Sequence, residues 1–155
     1  MTLIISIVNA EAVIPLRSQV LRPGLPEAAA RYDGDEERTT WHFAAYFPNG
    51  EQVGVVSYFL EPYESLPAGC AYRLRGMATA PSYQRRYGIG RQLVRESLEF
   101  LEKRGADLVW CYARLSAVGF YEKLGFHHWA PAGVVEIPPA GPHEVWYKYL
   151  DRGRR

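Results

Sequence analysis

The chain has 155 residues, of which 48% are hydrophobic and 23% are charged, and its formal net charge is +1. This length fits one ordinary domain with its own core, and the composition excludes disordered, collagen-like and coiled-coil chains. A net charge so close to zero is not that of a strong polyanion binder, and no apolar run approaches the roughly 18 residues of a membrane helix.

The N-terminal half predicts a strand, two helices and a hairpin. The first strand is short, β-branched and apolar, and no basic segment precedes it, which disfavours a secretory signal. Asn9 can cap the helix that follows, and the Asn49-Gly50 pair is typical of a hairpin turn. The predicted strands of this half are Leu3–Val8, Thr39–Phe47 and Gln52–Leu60, and the predicted helices are Glu11–Leu21 and Pro26–Arg31.

The C-terminal half alternates strands and helices. Apolar residues recur at helical spacing from Ile89 to Leu101, and Gly105 suits the position just past the end of that helix. A shorter helix places Phe120 and Tyr121 on one face. The predicted helices are Gly88–Arg104 and Ser116–Leu124, and the predicted strands are Tyr72–Thr79, Leu108–Ala113, Val134–Ile137 and Glu144–Leu150.

These elements predict a single α/β domain over residues 1–155, of mixed α+β type. Hairpin-linked strands are too numerous for a doubly wound sheet, so we expect a mixed sheet with helices on both faces. Cys70 and Cys111 form no disulfide framework, which favours reduced thiols and a cytoplasmic protein. The adjacent His127 and His128 would point apart in either element, so no metal site is predicted.

Positive charge is concentrated around one loop. Residues 65–95 contain no acid and six arginines: Arg73, Arg75, Arg85, Arg86, Arg91 and Arg95. Four of the six flank Gly88-Ile89-Gly90 at a predicted helix start, where unpaired N–H groups and the helix dipole favour a phosphate. Guanidinium groups add bidentate donors. We interpret the segment as a pyrophosphate site, the alternative being a solvated basic face, and it matches neither a P-loop nor a Rossmann fingerprint.

Two motifs resemble those of the GCN5-related N-acetyltransferases, the GNAT superfamily. The run Arg85-Arg86-Tyr87-Gly88-Ile89-Gly90 matches the signature [RQ]-x-x-G-x-[GA], between a strand and a long helix. Farther along, residues 117–126 (AVGFYEKLGF) resemble the family motif A-x-x-F-Y-x-x-x-G-F. The resemblance implies a single-domain fold with a mixed, mostly antiparallel sheet of six to seven strands, splayed between the fourth and fifth and flanked by about four helices.

The spacing before the signature differs from that in many family members. In many members the first signature glycine lies six residues after a proline, whereas Gly88 lies seven after Pro81, as though Tyr87 were inserted. Arg85, rather than Gln84, then takes the first signature position.

The resemblance implies acetyl-CoA as co-substrate. Backbone N–H groups of Arg86–Arg91 would hold the pyrophosphate, and the end of the preceding strand would pair with the pantetheine arm. The cofactor-binding residues implied in this way are Met77, Ala78, Thr79, Arg85, Arg86, Tyr87, Gly88, Ile89, Gly90 and Arg91.

The resemblance further implies acetyl transfer to a primary amine of a small molecule or peptide, by direct attack in a ternary complex. Tyr121 is the predicted catalytic residue, because a phenolic hydroxyl can protonate the departing thiolate. Its alternative role is that of an aromatic core residue. The general base stays open between Glu61, His143, His42 and a water chain, with Glu64 and Glu136 as further carboxylates.

The sequence also allows functions of other classes. One is a non-catalytic acyl-CoA-binding or regulatory module of the same fold. Nucleic-acid binding through the arginines and the tail Arg152–Arg155 is disfavoured because the remaining charge is balanced, and no membrane partner is expected. A homodimer is plausible by resemblance. Arg73 and Arg75 could meet a substrate carboxylate. The acids that could instead meet a cationic amine, or form an exposed loop, are Asp33, Asp35, Glu36 and Glu37.

Overall fold

The computed structural model describes residues 2–150, so the tail Arg152–Arg155 lies outside the described residues. Of these, 2–59 and 74–97 form one compact unit, and 60–73 and 98–150 form another. The strands are β1 Ile4–Val8, β2 Trp41–Tyr46, β3 Gln52–Leu60, β4 Ala71–Thr79, β5 Leu108–Arg114, β6 His127–His128, β7 Val134–Ile137 and β8 Gly141–Tyr149. The α-helices are α1 Ala10–Leu21, α2 Ile89–Lys103 and α3 Val118–Lys123. Short 3-10 helices cover Glu27–Ala30, Pro81–Tyr83, Leu115–Ala117 and Ala130–Ala132.

The strands are hydrogen-bonded in the order β1-β2-β3-β4-β5-β8-β6, and β7 also pairs with β8. The β4–β5 pair is parallel, with Ala71–Arg73 opposite Leu108–Trp110, whereas β5, β6 and β7 each pair with β8 in antiparallel register. A mixed, mostly antiparallel sheet is therefore confirmed. Among the described residues it has eight strands rather than six to seven, because β6 is a two-residue strand with no sequence period of its own.

The predicted helices need two corrections. Pro26–Arg31 forms only a 3-10 turn, Glu27–Ala30, and the helix expected at Ser116–Leu124 divides into a 3-10 turn and the six-residue α3. Residues 2–150 thus contain three α-helices instead of about four. Segments this short form too few i→i−4 bonds for propensity to decide between α and 3-10 geometry.

In the first unit, α1 packs on β2, β3 and the end of β4. The side chain of Asn9 caps α1 by accepting a hydrogen bond from the Ala12 N–H at 3.1 Å, as predicted. In the turn that joins β2 to β3, the Gly50 N–H donates to the Phe47 carbonyl at 2.9 Å, which confirms the predicted Asn-Gly turn. The core of this unit contains Val13, Leu16, Ala44, Val55 and Ala78.

The start of α2 is held against β3 in the same unit. A Cβ on Gly54 would lie 3.0 Å from Cγ2 of Ile89 and 3.2 Å from Cδ2 of Leu93, so glycine allows the helix to approach the strand closely. The Ser97 hydroxyl donates to the Leu93 carbonyl, which leaves its oxygen to accept the Tyr58 hydroxyl proton at 2.6 Å. These contacts fix where the N-terminus of α2 lies relative to the sheet.

In the second unit, β5 and β8 pair along seven residues, from Leu108–Tyr149 to Arg114–His143. The Trp110 indole N–H donates to the Glu61 carbonyl at 2.9 Å, and its ring lies 4.8 Å from that of Tyr63. The core contains Leu66, Ala71, Leu108, Trp110 and Val145. This unit carries α3, and therefore Tyr121.

Candidate active site

The predicted phosphate-binding residues lie at the start of α2. The Gln92 N–H makes the first intrahelical bond, to the Gly88 carbonyl at 3.0 Å, so the amides of Ile89, Gly90 and Arg91 precede the hydrogen-bonded part of the helix. Gly88 has φ +62°, a conformation that favours glycine. A Cβ there would lie 3.3 Å from Nη2 of Arg91, so the Arg91 side chain folds back over the loop.

The arginines of this loop are exposed to solvent. Arg85, Arg86 and Arg91 are all exposed, and none of them joins the ion pairs found among residues 2–150. Their positive charge adds to the positive end of the α2 dipole. The residues present therefore fit a pyrophosphate group through amide and guanidinium donors.

The end of β4 places Met77, Ala78 and Thr79 in the same unit as this loop. The Ala78 side chain is buried in the core, whereas Met77 and Thr79 are half-buried. The Thr79 carbonyl accepts a hydrogen bond from the Gln84 amide at 3.1 Å, and this acceptor was expected to face the pantetheine arm. Because a carbonyl oxygen has two lone pairs, the Thr79 carbonyl can accept a second hydrogen bond beside that from Gln84.

The residues leading into the helix have an irregular backbone. Arg85 has φ 62° and Tyr87 has φ 64°, so two non-glycine residues adopt the left-handed region. Tyr87 is 48% exposed. It nevertheless contacts the ring of Phe47 at a centroid distance of 6.0 Å and that of Tyr83 at 6.1 Å.

Tyr121 lies in α3, in the second unit, and is 6% exposed. Its ring contacts those of Phe120 at 5.1 Å and Phe126 at 5.3 Å, and the Phe126 N–H donates to its carbonyl. Tyr121 is thus an aromatic residue of the core, which is the alternative to a catalytic role named in the sequence analysis. Its hydroxyl remains the group on which the catalytic prediction rests.

Two of the candidate bases, Glu61 and His143, lie in the second unit. The Glu61 carboxylate is 3.5 Å from Nη1 of Arg73, an ion pair that engages both side chains. His143 is buried, and its Nδ1 lies 2.7 Å from the Gly141 carbonyl. That carbonyl can only accept, so Nδ1 carries a proton and the lone pair of a neutral ring is on Nε2. Glu64 and Glu136 are exposed.

The third candidate, His42, belongs to a buried network in the first unit. The Asp35 carbonyl can only accept, so Nε2 of His42 donates to it at 2.9 Å. Nδ1 of the neutral ring then accepts from the Ser57 hydroxyl at 2.6 Å, and the Ser57 oxygen accepts from Nη2 of Arg17 at 2.9 Å. Burial, the largest cause, lowers the pKa of His42 below its usual 6.5 and keeps the ring neutral. Both nitrogens are engaged, which leaves no lone pair for a substrate proton.

The same network corrects the prediction for Asp35. Its carboxylate is buried, 2.8 Å from Nη1 of the fully buried Arg17, instead of lying with the exposed acids Asp33, Glu36 and Glu37. Sequence reasoning missed Arg17 altogether. A charged residue on the apolar face of α1 was the available signal, because burial of an arginine requires a partner.

The two strand arginines lie against aromatic rings. Arg75 places its guanidinium carbon 4.0 Å from the centroid of the Tyr32 ring in the first unit. Arg73, in the second unit, lies 4.9 Å from the Tyr112 ring in addition to its ion pair with Glu61. Aromatic packing and charge pairing thus account for the half-burial of both side chains.

The cysteines and histidines form no further site within residues 2–150. Cys70 and Cys111 are free thiols, and complete burial raises the pKa of Cys111 far above its usual range, which argues against a nucleophile. No group of three or more His, Cys, Asp or Glu residues in the described part of the chain could hold a metal ion. None of its helices has the length and apolar character needed to cross a membrane.

A sequence profile described as the Acetyltransferase (GNAT) family matches residues 11–126. The chain belongs to the GNAT family of acetyltransferases. This GNAT protein is 32% identical over 148 residues to the uncharacterized N-acetyltransferase YitI of Bacillus subtilis (strain 168), a match that covers 95% of this chain and 96% of YitI.

Solved GNAT structures share the fold. A putative N-acetyltransferase from Lactobacillus plantarum has a TM-score of 0.73 at 22% identity and covers 97% of this chain and 100% of its own. The GNAT family N-acetyltransferase YhbS from Escherichia coli, solved in complex with CoA, has a TM-score of 0.73 at 19% identity, with 96% of this chain and 82% of YhbS covered. This GNAT protein therefore shares its fold with YhbS, which binds CoA.

Proposed function

We propose that this GNAT protein transfers the acetyl group of acetyl-CoA to a primary amine of a small molecule or peptide. The observation that supports the proposal is the start of α2, where unpaired amides, Gly88 and three exposed arginines without ion pairs among the described residues fit a pyrophosphate group. The CoA complex of YhbS supports the donor, and YitI supports N-acetyl transfer.

The reaction is a direct transfer in a ternary complex. The neutral amine nitrogen attacks the thioester carbonyl, the new C–N bond forms, and the C–S bond breaks with departure of the CoA thiolate. The Tyr121 hydroxyl donates a proton to that thiolate, whose conjugate acid resembles cysteine with a pKa of about 8.5. The nitrogen loses one proton to a base, and transfer of that proton through solvent to the Tyr121 phenolate restores both groups.

We propose His143 as that base, directly or through a water chain. Of the three candidates, His42 has both ring nitrogens engaged and Glu61 is paired with Arg73. The Nδ1 contact of His143 with the Gly141 carbonyl leaves Nε2 as a proton acceptor. The lone pair on Nε2 lets the imidazole accept the proton of the attacking amine.

The test combines binding and turnover. Thermal unfolding is recorded with and without 1 mM acetyl-CoA, and release of the CoA thiol is then measured with small amines, lysine and peptides with a free N-terminus. We expect a rise in the unfolding midpoint of a few degrees, as for a ligand at about 100 times its dissociation constant, and thiol release that depends on one class of amine.

Two results would contradict the proposal in different ways. A rise in the midpoint without amine-dependent thiol release would favour a non-catalytic acyl-CoA-binding module. No rise with either acetyl-CoA or CoA would contradict the proposed cofactor.

The two free cysteines agree with a cytoplasmic location, which we propose together with the reaction.

A further inference from the structure

The turn between β2 and β3 contacts the lead-in to α2, which contains the signature loop, residues 85–90. Phe47, at the start of this turn, lies 4.9 Å from the Tyr83 ring and 6.0 Å from the Tyr87 ring, each at a near-perpendicular angle. From the other side of the turn, Oε1 of Glu51 accepts the Tyr83 hydroxyl proton at 3.0 Å. The turn therefore contacts both tyrosines that flank the residues leading into α2.

The turn itself is well fixed. The Phe47 N–H donates to the Glu51 carbonyl and the Gly50 N–H donates to the Phe47 carbonyl, both at 2.9 Å. Phe47 is 6% exposed, whereas Tyr87 is exposed. A buried ring on a hydrogen-bonded turn can hold an exposed ring on a loop, and the reverse is not expected.

The loop needs such an anchor because its conformation is intrinsically unfavourable. Tyr87 occupies the position that lengthens the lead-in by one residue, and its φ of 64° is one that a bulky side chain rarely adopts. Such conformations persist where surrounding contacts determine them. Within the described residues, the ring contacts of Tyr87 with Phe47 and Tyr83 are contacts of this kind.

We propose that Phe47, Tyr83 and Tyr87, here called the aromatic clamp, position the signature loop for the pyrophosphate end of the donor. The inference rests on the proposed function and adds a distant turn to its binding machinery. Phe47 is a positioning residue, because it acts through the two tyrosines. Loss of the clamp should weaken binding of the nucleotide end of the donor and leave the acetyl-bearing end unaffected.

The experiment compares Phe47→Leu with Phe43→Leu. Phe43 is equally buried in the same unit and makes a similar perpendicular contact, with Tyr58, so it controls for loss of core packing. Each variant is assayed with acetyl-CoA and with S-acetylpantetheine, which lacks the pyrophosphate. We expect Phe47→Leu to raise the KM for acetyl-CoA about tenfold, in line with one or two aromatic contacts, with little change in kcat or in kcat/KM for S-acetylpantetheine.

A second pair of variants tests the loop side. Tyr87→Asn keeps a residue that tolerates the left-handed region but removes the ring, whereas Tyr87→Phe keeps the ring. We expect the asparagine variant to lose affinity for CoA in calorimetry and the phenylalanine variant to recover most of it. This pair remains informative if Phe47→Leu fails to fold.

Several results would overturn the clamp. They are unchanged CoA affinity in both Phe47→Leu and Tyr87→Asn, an equal loss with S-acetylpantetheine, and an equal rise in KM for Phe43→Leu. Wild-type protein that neither binds nor consumes acetyl-CoA would overturn the proposed function instead. The wild-type control therefore separates the two failures.

Discussion

Tyr121 can be tested without disturbing its packing. Its ring contacts Phe120 and Phe126, and Tyr121→Phe keeps those contacts while removing the hydroxyl. If that hydroxyl protonates the departing thiolate, kcat should fall at least about tenfold, towards the 10²–10⁴-fold range of general acid catalysis. The KM for acetyl-CoA should change little. Steady-state thiol release measures both constants.

The matched control is Tyr147→Phe, in the same unit. Tyr147 also packs among aromatic rings, those of His127 and Trp129, and it has no proposed role in the reaction. Its substitution should leave kcat near the wild-type value. An unchanged kcat in Tyr121→Phe would remove Tyr121 from the mechanism and leave it as a core residue.

At the scale of secondary structure, the junction between the signature loop and α2 is the proposed pyrophosphate site. Gly88→Asp introduces an L side chain at a φ of +62° and a carboxylate beside the expected phosphates, where it can also pair with Arg91. Strain of about 1–3 kcal/mol together with like-charge repulsion should weaken acetyl-CoA binding at least about tenfold. Calorimetry of acetyl-CoA binding measures the change.

Gly24→Asp provides the control for that variant. Gly24 has a φ of +79° and an open surrounding, so the substitution carries the same charge change and a similar backbone strain at an exposed turn. Its acetyl-CoA affinity should stay at the wild-type value. Equal affinities for the two variants would place the phosphate site elsewhere.

Local sequence patterns predicted most of these elements. The cap at Asn9, the turn at Asn49-Gly50 and the apolar spacing of α2 depend on neighbours a few residues apart, and each is present. Short elements were missed or misassigned because two to six residues carry no period. The pairing of β6 with Trp146 and Tyr147 depends on a partner distant in sequence.

At the scale of the whole molecule, the buried network around His42 should make stability depend on pH. The pKa of His42 is lowered from 6.5 by burial, and the groups facing it are Ser57, Asp35, Arg17 and Glu36. Well above pH 6.5 the ring is neutral in both the folded and the unfolded state. As the pH falls through 6.5, the unfolded state takes up a proton that the folded state resists, so the free energy of unfolding decreases.

His42 takes up at most one proton on unfolding. Its contribution to the fall in the free energy of unfolding therefore cannot exceed about 1.4 kcal/mol per pH unit. We expect the thermal midpoint to fall between pH 7.5 and 5.5, and to fall less in His42→Gln. Titration of the His42 ring by NMR provides the direct measurement. A midpoint near or above pH 6.5 in that titration would contradict the prediction.

The sequence by itself determined the family, because the family depends on two contiguous motifs, residues 85–90 and 117–126. The phosphate-binding role of residues 85–90 stays a prediction. Only the tertiary structure decided which polar residues are buried and which base candidates keep a lone pair. Arg17 contacts Asp35, 18 residues away in sequence, and Ser57, 40 residues away. Phe47 and Tyr87 are also 40 residues apart in sequence. Contacts over such separations leave no local period, since they arise when packing excludes water and each buried polar group must find a partner.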